Sequence, residues 1–71
     1  MIVIAELNET DKGREVCYIN YGGVEYGRIT SWNDSFIFVR YHLKVMRNGD
    51  KQPRYGETSE ATSPGDLKFT T

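Results

Sequence analysis

The chain has 71 residues, 38% hydrophobic and 13% aromatic, with nine Lys or Arg against ten Asp or Glu and a formal net charge of −1. So short a chain makes one domain, residues 1–71, around a small core, and its near-neutral balance predicts neither a nucleic-acid protein nor an acidic solvated tail. Trp32, three phenylalanines and five tyrosines supply large apolar area per residue, which argues against disorder throughout and suits a compact barrel.

Residues 2–7, Ile2-Val3-Ile4-Ala5-Glu6-Leu7, open the chain as an apolar run expected to form an extra N-terminal strand or an extended arm. The run is far too short to span a bilayer and lacks the basic start and cleavage site of a signal peptide, so no membrane association is expected. A polar turn, Asn8 to Gly13, follows. Residues 14–19 alternate as a strand, with Val16 and Tyr18 on one face and Cys17 and Ile19 on the other. Asn20-Tyr21-Gly22-Gly23 breaks it, and residues 24–32 form the next strand, with Gly27 expected to mark a bulge or bend.

Asn33-Asp34-Ser35 is a tight turn with an aromatic residue on each side, Trp32 and Phe36. Residues 36–42 carry the strongest strand signal, β-branched and aromatic without a breaker. Phe36 and Phe38 fall on one face and Ile37, Val39 and Tyr41 on the other, which implies that the outer face is covered too, for instance by residues 2–7. Residues 43–58 form a long basic loop or a protruding hairpin with its tip at Asn48-Gly49 and a second break at Tyr55-Gly56. Glu60-Ala61-Thr62 is a short strand. Ser63-Pro64-Gly65-Asp66 then reads as one 3₁₀ turn, with Ser63 as N-cap, Pro64 at the first helical position and Asp66 placed to accept backbone N–H bonds. Leu67-Lys68-Phe69 closes the order as a last strand. The expected fold is all-β: a small five-stranded antiparallel barrel with a 3₁₀ turn before its last strand.

That layout resembles the SH3-like barrels, the group that includes Tudor-type domains, over residues 13–69. A narrower resemblance is to small uncharacterised phage and prophage proteins. It rests on Gly13-Arg14-x-Val16-x-Tyr18, Gly27-x-Ile29-Thr30-Ser31-Trp32-Asn33-Asp34, Phe36-Ile37-Phe38-Val39-Arg40-Tyr41 and Ala61-Thr62-x-Pro64-x-Asp66-Leu67, in that order. The long segment 43–58 departs from that pattern. The resemblance implies a phage-encoded protein acting in the host cytoplasm and carries no catalytic signature. A cytoplasmic setting also follows from Cys17, the lone cysteine, which cannot form an internal disulfide and reads as a buried or half-buried strand residue.

Enzymatic readings lack their parts. His42 is the only histidine, with no CxxC, HxxxH or carboxylate cluster to complete a metal site, and reads as a solvent-exposed strand-end residue. Gly22-Gly23 precedes no helix and so is no phosphate loop. Asp34 and Asp66 have turn and cap duties. No enzyme activity, metal or cofactor is expected.

Binding is the stronger class, in two versions. In the first, rim aromatics, chiefly Tyr21, Trp32 and Tyr41 with Tyr18 and Tyr26 near them, form a shallow groove for a protein partner, or else serve as core. A cation cage would need three rings and a carboxylate around one pocket. In the second, Arg40, Lys44, Arg47, Lys51 and Arg54, held against Asp50 alone in residues 40–54, contact nucleic acid with Tyr41 and Tyr55 stacking on bases. The alternative is that these cations guard an exposed hairpin against edge pairing. Protein binding ranks first. Self-association as a weak homodimer, through strand edges or residues 2–7, stands beside a monomer.

Overall fold

The structure, a computed structural model, describes residues 1–55 and 58–70. Those residues are all-β, with no α-helix: six antiparallel strands, β1 (Glu15–Asn20), β2 (Gly23–Trp32), β3 (Ile37–Met46), β4 (Lys51–Pro53), β5 (Glu60–Thr62) and β6 (Leu67–Phe69). The strands run in the order β4-β3-β2-β1-β6, with β5 paired to the first half of β3. The sheet is not closed, and it has six strands where five were expected. The sixth is β4, formed within the basic segment. Gly49, at φ 93°, completes a three-residue turn after Met46, so residues 43–53 of that segment fold as the hairpin rather than the loop. Gly56, half of the expected second break, lies outside the described residues.

Alternation along the strands decides what is buried. Val16, Ile29, Ile37, Val39, Tyr41 and Leu67 face inward with Ile2 as one core, and Ile4, Leu7, Tyr18, Trp32 and Phe69 pack against it. Burying each such aliphatic side chain contributes roughly 1.5–3 kcal/mol.

The expected strand over residues 2–7 is replaced by one 3₁₀ turn, Ile4–Glu6. Side chains three positions apart eclipse on such a turn. Ile4 and Leu7 therefore reach the core together, while the Ile2 N–H donates to the Pro64 carbonyl at 3.0 Å. The run belongs to the inner layer, so the expectation that it covers the outer face of β3 is overturned. Phe36, on that outer phase, stands exposed.

Local chemistry sets the connections. Asn33 Oδ1 accepts from the N–H groups of Ser35 and Phe36, holding the turn between β2 and β3. Pro64 begins a 3₁₀ turn, Pro64–Asp66, before β6 as expected, but the Ser63 side chain makes no cap bond. Its backbone carbonyl serves instead, accepting from Asp66 N–H at 3.1 Å.

Candidate functional site

Residues directly opposed across an antiparallel ladder share a face, so the register shows what the outer surface presents. On β1 the outward residues are Glu15, Cys17 and Ile19. Opposite Ile19 stand Val24 and then Val45; opposite Cys17 stand Tyr26 and then Leu43. These two rows place six apolar or thiol side chains side by side on the outer face of β1, β2 and β3. Ile19 is 51% exposed and the other five are half-buried.

Leu43 and Val45 reach this face through a bulge. Gly27 opposes Tyr41 and Tyr26 opposes Leu43, leaving His42 as the extra residue. Without it, Leu43 and Val45 would continue the inward phase of Ile37, Val39 and Tyr41. Beyond the first row lies an open concavity of about 620 Å³, lined by Ile19, Tyr21, Val24, Val45, Met46 and Arg47. Tyr21 sits there in the β1–β2 turn, 94% exposed. The turn is held by Asn20, whose Oδ1 accepts from Gly22 N–H at 2.8 Å and whose Nδ2 donates to Glu25 at 3.0 Å.

One end of each row is cationic: Lys51 continues the Ile19 row past Val45, and Lys68 on β6 opens the Cys17 row, whose far end past Leu43 is Pro53. Arg47 lies beside the concavity. The ion pairs among the described residues engage none of these three. Two carboxylates lie close by. Glu15 meets His42 Nε2 at 3.3 Å, and Asp50 accepts from Asn48 Nδ2 in the hairpin turn.

The other face holds a different cluster. Arg54 donates to Glu25 at 2.5 Å and lies 2.7 Å from Glu60, with its guanidinium 5.4 Å from the centre of the Tyr41 ring. Tyr18 packs at a tilt on Tyr41, centroids 6.4 Å apart. The Tyr41 hydroxyl bonds Thr62 Oγ1 at 2.7 Å, and burial pushes its pKa up to about 12. One ring, Tyr41, and two carboxylates thus converge on a cation that the chain itself supplies, with Tyr18 packed behind that ring.

The expected site residues separate accordingly. Tyr41 is 4% exposed, a core residue and not a rim anchor, because it follows the inward phase of β3. Trp32 packs against the core with Lys12 5.7 Å over its ring. Tyr21 lines the concavity just before β2, whereas Trp32 closes the far end of β2 and is not part of that lining, so they share no groove. Of the five cations, Arg54 is paired within the fold, Lys44 stands opposite Glu25, and Arg40 lies in the outer row with Arg28 and Glu15. Arg47 and Lys51 flank the hairpin turn. Arg40, Arg47 and Lys51 thus belong to the outer face and Lys44 and Arg54 to the face of Glu25, so the five are split between two surfaces.

No group of three or more His, Cys, Asp or Glu positioned to hold a metal ion occurs among the described residues. None of their helices is long and apolar enough to cross a membrane. In comparisons with known proteins the chain matches no family model, no curated protein and no solved structure.

Proposed function

We propose that this chain is a non-catalytic binding module that acts through protein–protein contacts. The observation that carries this reading is the apolar double row on the outer face, ending at the exposed Tyr21. Contiguous apolar surface rimmed by charge is what a protein partner covers, and tyrosine and arginine are among the residues that most often anchor such contacts. The same reading takes the sheet as a variant of the SH3-like barrel. Pairing of the last strand with the first, straight after a 3₁₀ turn, supports it. It keeps the small phage and prophage proteins as the chain's kin and the host cytoplasm as its place of action, on the four sequence segments quoted above. Nucleic-acid contact ranks lower because the five cations are dispersed and one is already neutralised.

The test begins with proteins captured by the immobilised chain, each then purified and titrated calorimetrically against the wild type and Ile19→Glu. At least one should bind the wild type and lose affinity for the folded variant. If no purified candidate binds, or if the chain retards single- or double-stranded DNA or RNA at low salt instead, the reading fails.

A further inference from the structure

We infer that the outer face of β1–β2–β3 docks an extended protein segment whose apolar side chains alternate or cluster and whose flanks are acidic. This inference rests on the protein-binding reading above and names the partner's chemistry. The apolar part follows from the two rows, Ile19-Val24-Val45 and Cys17-Tyr26-Leu43, with strands spaced about 4.8 Å apart. That relief suits side chains presented from one extended chain better than a flat rigid surface. The acidic part follows from the rim. Lys51 ends one row, Lys68 opens the other and Arg47 borders the concavity, with none of the three in an ion pair among the described residues.

Among the described residues Glu15 lies against His42 and Asp50 against Asn48, and neither forms an ion pair with Arg47, Lys51 or Lys68. Carboxylates of a partner would therefore meet these three cations without displacing a carboxylate of the chain. A second copy of this chain fits less well. Face-to-face packing would bring two such cationic rims together, and like charges across an interface suppress association. Strand addition at the edge is also disfavoured. Both β4 and β6 run only three residues, and Pro53 in β4 has no N–H to give to a ladder.

A displayed library of random peptides, selected on the immobilised full chain and counter-selected on Ile19→Glu, tests the inference. Enriched peptides should combine aliphatic or aromatic residues with an excess of Asp and Glu. As synthetic peptides they should bind the wild type on the order of tenfold or more tightly than Ile19→Glu, and lose affinity at higher salt. Their amide shift changes should map to β1, β2 and β3. The paired variant Lys51→Glu with Lys68→Glu should weaken acidic peptides while retaining the fold, as read by circular dichroism. If Ile19→Glu fails to fold, Val45→Glu takes its place on the same row.

Enrichment of neutral or basic peptides, equal binding to the variants, or shifts confined to another surface would overturn the acidic-segment inference and leave the protein-binding reading standing. No enrichment on any surface would count against both. Sedimentation that shows concentration-dependent dimers of the wild type, abolished by Ile19→Glu, would make a second copy the occupant and overturn the inference.

Discussion

The guanidinium of Arg54 is clasped by Glu25, a partner 29 positions earlier in the sequence, whose side chain is only 12% exposed. Through its contact with Glu60, Arg54 also ties the stretch after β4 to β5, so one side chain fastens three separate parts of the sheet. Its own side chain is 32% exposed, which makes this a partly buried pair and not a solvated surface one. Arg54→Ala leaves Glu25 without its cationic partner and should cost about 1–3 kcal/mol, read as a lower urea midpoint with an unchanged slope. Arg54→Lys should recover only part, because an ammonium cannot span two carboxylates as a planar fork does. An unshifted midpoint for Arg54→Ala would show that the clasp contributes nothing.

Gly27 makes the second prediction. A Cβ there would stand 2.6 Å from the Arg40 carbonyl oxygen, 2.6 Å from Val39 Cγ1 and 2.9 Å from Tyr41 Cα. Two of those neighbours are backbone, which cannot swing aside. Gly27→Ala should destabilise by about 1–3 kcal/mol through overpacking at the bulge, measured by thermal unfolding. A variant as stable as the wild type would mean that the strands separate here without loss.

Gly27 also marks how far the sequence could be read. The glycine inside an alternating strand announced a bulge, and the bulge is there. What it could not announce was the direction of the phase change, since the extra residue, His42, sits on the partner strand. Alternation alone carries Leu43 and Val45 inward with Tyr41, and that one-residue slip hides the outer apolar rows. The core fared better. Val16, Ile29, Ile37, Val39 and Leu67 all lie in strands expected from local pattern. The clasp of Arg54 had no local signal, because its partners lie in other strands, and of the two roles open to Tyr41, rim or core, its shared face with Ile37 and Val39 carries it into the core.

Asp11 supplies an acid-side prediction. Its carboxylate accepts the Asn8 N–H at 2.9 Å and the Arg14 guanidinium at 2.9 Å, and these bonds, the backbone one foremost, hold its pKa below the usual 3.8. A depressed carboxylate pKa stabilises the fold at pH values above the unfolded value, and that stabilisation is lost as pH falls through the folded one. Asp11→Asn should therefore be less stable than the wild type at neutral pH, with the difference shrinking below about pH 4. Denaturant midpoints across that range measure it. A difference independent of pH would mean that the Asp11 charge contributes nothing to the fold.

Tyr41 works in the opposite sense. Burial is the main cause of its raised pKa, about 12, with the charges of Glu25 and Glu60 adding to it against the lowering effect of the Thr62 hydrogen bond. Between about pH 10 and 12 the unfolded chain releases this proton while the folded chain keeps it. Folding stability contributed by the neutral phenol is thus complete below pH 10 and falls as pH rises towards 12. Phenolate absorbance should show a late ionisation, that of Tyr41, in step with unfolding. In Tyr41→Phe that late step should vanish and the alkaline decline become shallower, while neutral stability drops by about 0.5–1.5 kcal/mol for the lost bond to Thr62. Persistence of the late step in Tyr41→Phe would assign it to a different ring and remove Tyr41 from the alkaline transition.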